Sequence, residues 1–155
     1  MLVMQHLNKQ FGSIRAVHEF NLTVEAGEIV VLMGPSGCGK STTIRTINRL
    51  VEPDQGVILL DDADILAIGP DELQQVRKRI GFVFQHFNLI GRLSAMENVM
   101  LGLVMGGMDR ETARSKAAEA LGKVGMQQQL DRLPAELSGG QQQRVGIARA
   151  LAYEP

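Results

Sequence analysis

A glycine-rich stretch at residues 34–42 constrains the fold of this chain more than any other feature. The stretch fits the pattern G-x-x-x-x-G-K-[ST] without a mismatch. The apolar residues 29–33 before it predict a buried strand, and residues 43–50 after it have a pattern typical of a helix. A strand, a glycine loop and a helix in this order are the context in which the pattern has a physical meaning. The sequence therefore predicts an α/β fold organised around this loop.

The residue types of the loop suit the triphosphate tail of a nucleotide. Glycine lets the backbone turn through positive φ and lets its N–H groups approach phosphate oxygens without a Cβ in the way. A helix that begins near Lys40 adds unpaired N–H groups and the positive end of its dipole. We expect Lys40 to reach the β- and γ-phosphates, Ser41 to bind Mg²⁺ and Thr42 to support the phosphates. The alternative is a glycine-rich turn that binds nothing. The predicted nucleotide-binding residues of the loop are Gly34, Pro35, Ser36, Gly37, Cys38, Gly39, Lys40, Ser41 and Thr42.

Composition and charge narrow the class of protein. The 155 residues correspond to about one domain, and the formal net charge of −1 does not predict a nucleic-acid-binding surface. The one cysteine, Cys38, cannot form an internal disulfide, which is typical of cytosolic chains. No apolar run reaches membrane-spanning length, and the first residues lack the pattern of a signal peptide. Any role at a membrane is therefore expected to depend on a partner.

Two strands are predicted ahead of the glycine loop, at residues 2–7 and 16–24. Phe11 lies between them and precedes Gly12. An aromatic ring beside a flexible turn could stack on an adenine ring, or it could simply pack against its own loop. The spacing alone leaves both interpretations open.

A second buried strand is predicted at residues 80–84, after a short strand at 57–60 and a helix at 70–77. Gln85 directly follows this strand. In α/β proteins, ligands bind at the carboxyl ends of strands, so the amide oxygen of Gln85 could hold a metal ion or a water molecule. The alternative is an ordinary polar residue at the end of a strand.

The chain then changes character, and residues 88–134 predict a helical subdomain. Ser94 and Glu97 have capping-box spacing at the start of one helix, while Asp109 and Gly125 mark the start and the end of a second. We therefore divide the chain into three parts. These are a nucleotide-binding core with the two early strands and the glycine loop at 1–87, the helical subdomain at 88–134, and a final helix with its start motif at 135–155.

The final helix begins with a second motif that suits an anion. Ser138 and Gln141 have capping-box spacing, and Gly139 and Gly140 between them are poor helix formers. Bare N–H groups at a helix N-terminus beside a hydroxyl would explain their presence. One nucleotide rarely needs two such sites from one molecule. Two chains that face each other would use both.

These motifs together resemble the ATP-binding subunits of ABC transporters, over essentially the whole chain. Residues 34–42 match the Walker A loop, Gln85 matches the Q-loop glutamine, and residues 137–141 match the signature motif. The resemblance implies a P-loop NTPase fold of the ABC type, with N-terminal antiparallel strands and an inserted helical subdomain. It also implies ATP and Mg²⁺ as ligands. It assigns Phe11 to the adenine ring, Gln85 to Mg²⁺ beside Ser41, and Ser138, Gly139, Gly140 and Gln141 to the γ-phosphate.

The resemblance further implies partners. In this family the signature motif of one subunit closes over the γ-phosphate held by the Walker A loop of another, which implies a head-to-tail homodimer. It also implies transmembrane permease subunits, an indirect link to a substrate-binding protein, and a peripheral position on the cytoplasmic face of the inner or plasma membrane. Nucleic acid is not an implied partner. Residues 7–12, 45–50, 84–89 and 134–144 are similar to the branch that imports polar amino acids.

One departure from the family pattern is large. The pattern continues past residue 155 with the Walker B strand, the catalytic glutamate and the switch histidine, and no residue of this chain matches them. We therefore expect a fragment or a truncated chain that lacks part of the core, assign no catalytic residue and treat Gln85 as accessory. ATP hydrolysis by this chain stays open. Two further alternatives are a soluble ABC-type ATPase without a transport partner and a non-catalytic regulator.

Overall fold

The computed structural model describes all 155 residues, and they form two compact units, Met1–Arg77 and Lys78–Pro155. Each unit has its own buried apolar cluster. The three-part division at residues 87 and 134 stays a prediction. None of the helices combines the length and the apolar character that a bilayer span requires.

The first unit is built on a four-stranded antiparallel sheet. Its strands are β1 (Leu2–Phe11), β2 (Ile14–Val24), β3 (Gln55–Leu60) and β4 (Ala63–Asp64), in the spatial order β2-β1-β3-β4. A two-residue connection containing Gly12, at a φ of 58°, joins β1 to β2. The expected strands at residues 2–7, 16–24 and 57–60 are confirmed, and each is longer than predicted.

The core of the first unit is packed around this sheet. Met4 and Leu7 of β1 are both buried although they are three positions apart, because the pairing between them is irregular, with His6 at a φ of 48°, and the two-residue alternation of the strand is interrupted there. Full burial of each such side chain contributes roughly 1.5–3 kcal/mol. Helices α1 (Lys40–Ile47) and α2 (Pro70–Lys78) complete the elements of this part of the chain. The buried apolar residues are Met4, Leu7, Val17, Ile58 and Ile65.

The two predicted buried strands at residues 29–33 and 80–84 are wrong. Neither stretch is a strand, and the side chains of Ile29, Val31 and Met33 are 90%, 72% and 87% exposed. Val83 is also exposed. A strand forms only where another strand accepts its backbone hydrogen bonds, and the sheet of this chain contains no strand paired with either stretch. Apolar composition therefore identified segments suited to burial, but not the pairing on which burial depends.

The second unit is helical. Its helices are α3 (Ala95–Met105), α4 (Arg110–Lys123) and α5 (Gly139–Leu151), with a 3₁₀ turn at Pro134–Glu136. The helix starts were predicted correctly. Ser94 accepts from the N–H of Glu97 and its own N–H donates to the Glu97 carboxylate, while Asp109 accepts from the N–H of Thr112 at 2.9 Å. Gly125, at a φ of 73°, follows the end of α4 as expected for a C-terminal cap.

The three helices share one apolar core. Alanines on α4 supply small buried positions, and methionine, leucine and valine side chains of α3 and α5 fill the space. A buried asparagine, Asn98, fixes the chain that enters α3. Its amide nitrogen donates to the carbonyl oxygens of Ile90, Leu93 and Ser94, and its amide oxygen accepts from the N–H of Ile90 at 2.7 Å.

Candidate functional site

The glycine loop of the first unit has the backbone conformation that its sequence predicts. Gly34, Gly37 and Gly39 have φ values of 155°, 83° and 92°. Only glycine adopts such values readily, because a Cβ would meet the backbone. The loop then enters α1 directly at Lys40. The expected order of glycine loop and helix is therefore present, although the strand predicted before the loop is not.

Gly39 also has no room for a side chain. A Cβ placed on it would lie 2.0 Å from the carbonyl oxygen of Ala16 in β2. At Gly37, where φ is also positive, a Cβ would meet nothing within 4 Å. The loop therefore lies against the sheet at Gly39, whereas the space around Gly37 is open.

Lys40 folds back over its own loop. Its ammonium donates to the carbonyl oxygens of Gly34 and Pro35 at 2.7 Å each and lies 3.5 Å from the Sγ of Cys38. The loop therefore gathers a positive charge with three donors at its centre. Phosphate oxygens are stronger acceptors than backbone carbonyls, so an anion placed here would compete for the same donors.

The first turn of α1 is open to an anion. Gly39, the N-cap residue, provides no side-chain cap, and the first turn contains no acidic residue. The N–H groups at the start of a helix have no partner within it, and the helix dipole makes this end positive. Ser41 is exposed in this turn and Thr42 is half-buried. This is the arrangement that proteins use to hold phosphate groups.

Beside the loop, the first unit has a cavity of about 210 Å³. Apolar side chains line most of it, and the ammonium-bearing Lys40 and the exposed thiol of Cys38 lie at its loop side. Residues of β2 and of the glycine loop both line this cavity, so the sheet and the glycine loop border one space. The residues around it are Ala16, Val17, His18, Phe20, Leu32, Met33, Cys38, Lys40 and Thr43.

Phe11 lies at the end of β1, where it pairs with Ile14 across the hairpin turn. Its side chain is 49% exposed, so part of the ring is available to a ligand. The ammonium of Lys9 lies 5.2 Å from the centre of the ring, within the range of a cation–π contact. Packing inside its own loop, the alternative to adenine stacking, would bury the ring more fully.

Gln85 lies in the second unit, in an irregular segment, and is exposed. Phe87 and Asn88, which come directly after His86, have positive φ values of 57° and 49°. Arg149 of α5 holds them there, because its guanidinium donates to the carbonyl oxygens of Phe87 at 2.7 Å and Asn88 at 2.8 Å.

Sequence reasoning did not identify Arg149. Burial lowers the pKa of its guanidinium from the ordinary value, and its central carbon lies 6.0 Å from the ring centre of Phe84. An arginine in the last turn of an amphipathic helix carries no signal that it contacts residues about sixty positions earlier. The segment that follows Gln85 is thus tied to the helix that carries the predicted signature motif.

The motif at residues 138–141 forms the capped start of α5. Ser138 Oγ accepts from the N–H of Gln141 at 3.3 Å, and the Ser138 N–H donates to the Gln141 side chain at 2.8 Å. Gly139 and Gly140 are exposed, and a Cβ on either would meet nothing within 4 Å. The predicted capping box is confirmed. The open glycine surface fits the approach of another molecule, since the fold of the chain itself does not require glycine there.

The predicted site residues therefore fall into two groups. Phe11 and residues 34–42 belong to the first unit, whereas Gln85 and residues 138–141 belong to the second. Within the first group the sheet and the glycine loop border the same cavity, and within the second Arg149 joins α5 to the segment after Gln85. Ligand roles for these residues remain proposals.

The chain is similar in sequence to two curated ATP-binding proteins. The chain is 42% identical over 159 residues to the methionine import ATP-binding protein MetN 1 of Paraburkholderia xenovorans, and 45% identical over 152 residues to MetN of Brucella abortus. These alignments cover 100% and 98% of the chain but 46% and 41% of the relatives. The chain thus spans less than half the length of these curated relatives.

The fold also matches solved structures. The dimeric structure of MJ0796, described as a bacterial ABC transporter cassette, superposes with a TM-score of 0.91 at 41% identity. That match covers 100% of this chain and 71% of the cassette. CbiO1 of Clostridium perfringens, described as part of the ABC transporter complex CbiONQ, matches with a TM-score of 0.84 at 30% identity, over 99% of this chain and 62% of that one.

The family model described as "ABC transporter" matches residues 17–155, which include the glycine loop, Gln85 and the capped start of α5. The fold class predicted from the sequence, a P-loop NTPase of the ABC type with antiparallel strands and a helical part, is confirmed. The chain belongs to the ABC transporter family.

Proposed function

We propose that this chain is the ATP-binding part of an ABC importer subunit, and that it binds ATP and Mg²⁺ at residues 34–42. The observation that carries the proposal is the position of the Lys40 ammonium. It lies 2.7 Å from two loop carbonyls, at the start of a helix that has neither a side-chain cap nor an acidic first turn. Three glycines with positive φ shape the backbone around it. Few uses other than binding a polyanion explain all of these features together.

Each residue of the loop has a proposed role. The first-turn N–H groups of α1 hold the β-phosphate, and Lys40 exchanges its carbonyl partners for oxygens of the β- and γ-phosphates. Gly34, Gly37 and Gly39 keep the loop close to the phosphates. Phe11, exposed at the end of β1, stacks on the adenine ring.

The donor set of the site suits Mg²⁺. Mg²⁺ prefers oxygen ligands, keeps several waters and takes few ligands from the protein when a nucleotide supplies phosphates. The exposed hydroxyl of Ser41 in the first turn of α1 fits this requirement, and the amide oxygen of exposed Gln85 is the second ligand that we propose. When bound, Mg²⁺ neutralises charge on the β- and γ-phosphates.

Two copies of the chain are proposed to share each ATP. The exposed glycines at the start of α5, with Ser138 and Gln141, would close over the γ-phosphate held by the partner's loop. Support comes from the similar cassette MJ0796, for which a dimeric post-hydrolysis state bound to ADP and Pi has been solved. We propose that ATP hydrolysis belongs to the complete subunit and energises transmembrane permease subunits, which would place the protein at the cytoplasmic face of the membrane.

The proposed cargo is an amino acid. The relatives in Paraburkholderia xenovorans and Brucella abortus are named for methionine import, which favours methionine over the polar amino acids predicted from the sequence. Cells that carry a Lys40→Ala allele of the complete gene should lose uptake of labelled methionine and keep uptake of an unrelated amino acid such as proline. Unchanged methionine uptake in those cells would refute this cargo.

The nucleotide proposal is tested by calorimetric titration of the chain with Mg-ATP. Lys40→Ala should weaken binding about 10- to 100-fold, since charge-assisted hydrogen bonds contribute about 1.5–3 kcal/mol. The matched control is Lys123→Ala, which removes an exposed lysine paired with Glu119 on α4. Equal affinity of both variants for ATP would contradict the proposed site.

A further inference from the structure

We propose that the ion pair between Lys9 and Asp54 positions the ring of Phe11 to stack on the base of the bound nucleotide. The proposal rests on the nucleotide-binding function proposed above and adds two positioning residues to it. It concerns the base alone, because neither residue belongs to the loop that is proposed to hold the phosphates.

The contacts converge within the first unit. Lys9 Nζ lies 2.8 Å from Asp54 Oδ1 and 5.2 Å from the centre of the Phe11 ring. Lys9 and Phe11 are two positions apart on β1, and the contact between ammonium and ring places their side chains on the same side even though the pairing with β2 is irregular between Lys9 and Gln10. The side chain of Lys9 is only 15% exposed, whereas surface lysines usually extend into water. The carboxylate of Asp54 therefore holds the ammonium of Lys9 over the ring of Phe11, which is itself half exposed.

Asp54 also fixes the backbone beside Phe11. Its second carboxylate oxygen accepts from the N–H of Gln10 at 2.7 Å, and its own N–H donates to the carbonyl oxygen of Asn8 at 2.9 Å. These bonds join the turn before β3 to the three residues that precede Phe11. The hydrogen bond from Lys9 and that from the Gln10 N–H lower the pKa of the Asp54 carboxyl, so it is ionised near neutral pH. The pair is therefore charged under the conditions in which nucleotides bind.

A cation on one face of Phe11 favours a planar base on the other. The negative face of the ring attracts the ammonium, and the contact fixes the ring plane without covering both faces. A flat heteroaromatic base that stacks on the free face would then meet a ring already in place. Pre-positioning of this kind lowers the entropy cost of binding.

A purely structural role for the pair makes a different prediction. If Lys9 and Asp54 only stabilised the sheet, their loss would weaken the fold and affect every ligand of the first unit alike. If they position Phe11, their loss weakens binding of ligands that carry a base and leaves a base-free polyphosphate unaffected. ATP and inorganic tripolyphosphate form the matched pair of ligands that separates the two roles.

The test measures binding of Mg-ATP and of Mg-tripolyphosphate to the chain and to its Asp54→Asn variant. Asparagine keeps an oxygen acceptor for the Gln10 N–H and removes the charge that holds Lys9. Glu52→Gln is the control, because Glu52 belongs to the same turn but pairs with Arg49 at 2.9 Å. We expect Asp54→Asn to weaken ATP binding about two- to fivefold, the range of an exposed cation–π contact, and to leave tripolyphosphate binding unchanged. Lys9→Met should have the same effect.

A second background isolates the ring itself. In a Phe11→Ala chain, Asp54→Asn should no longer change ATP affinity, since nothing remains to be positioned. The inference is overturned if Asp54→Asn binds ATP as Glu52→Gln does, if it weakens both ligands equally, or if its effect persists without the ring. Failure of the unaltered chain to bind either ligand would overturn the nucleotide proposal, and this inference with it.

Discussion

The close approach of Gly39 to Ala16 makes a quantitative prediction about the fold of the glycine loop. A Cβ at Gly39 would lie 2.0 Å from the Ala16 carbonyl oxygen, far inside the 3.4 Å at which ordinary contact begins. The Gly39→Ala variant must therefore move the loop away from β2 or force the residue out of its positive φ of 92°. Gly37→Ala is the matched control, because Gly37 has a φ of 83° but open space around it.

The free-energy cost of the backbone conformation and the cost of the steric overlap can be estimated separately. Placing alanine in a left-handed conformation costs about 1–2 kcal/mol, and this cost applies to both variants. The steric overlap at Gly39 adds roughly 1–3 kcal/mol, the range measured for overpacked sites. We expect Gly37→Ala to lower the free energy of unfolding by about 1–2 kcal/mol and Gly39→Ala by about 2–5 kcal/mol.

Urea denaturation followed by far-UV circular dichroism measures both values in the same chain. The informative quantity is the difference between the two variants, since it cancels the backbone cost that they share. Equal destabilisation by Gly37→Ala and Gly39→Ala would show that the loop does not lie against Ala16 as described. It would also remove the physical reason for placing the glycine loop and β2 around one cavity.

Two further predictions concern the helical unit. Ser138→Ala should lower the stability of the chain by about 1 kcal/mol in urea denaturation, because it removes the acceptor of the Gln141 N–H at the start of α5; an unchanged midpoint would refute the cap. Asp109 caps α4, and hydrogen bonds from the Thr112 side chain and N–H lower the pKa of the Asp109 carboxyl. The stabilising effect of this carboxylate is therefore present above its unfolded pKa of about 3.9, and it is lost as the pH falls through the lower pKa of the folded state. Asp109→Asn should therefore flatten the loss of stability on acidification below about pH 4, and an unaltered pH profile would contradict this.

The helix ends were predictable because their signals are local. Ser94, Asp109 and Ser138 each bond to a residue three positions away, so the spacing of residue types determines the contact. The positive φ of Gly39 was predictable for the same reason, because the backbone conformation of the loop is determined by the nine residues of the motif themselves. Strands β1 and β2 were predictable from their apolar residues, whereas the three irregular positions in their pairing were not.

The strands expected at residues 29–33 and 80–84 failed because strand pairing is not local. The apolar side chains of Ile29 and Val31 predicted burial, yet no neighbouring strand accepts their backbone hydrogen bonds. Long-range side-chain contacts were missed for a related reason. Nothing in the sequence pairs Lys9 with Asp54, forty-five positions later, or Arg149 with the carbonyl of Phe87. Such contacts depend on which elements meet, and this depends on the whole fold.

The proposed function depends above all on binding of the ATP phosphates by the loop at residues 34–42 through Lys40. Calorimetric titration of the chain with Mg-ATP, beside Lys40→Ala and Lys123→Ala, tests it most directly. We expect saturable binding by the unaltered chain and by Lys123→Ala, and an affinity about 10- to 100-fold lower for Lys40→Ala. Binding that is unaffected by Lys40→Ala, or the absence of binding in the unaltered chain, would contradict the claim.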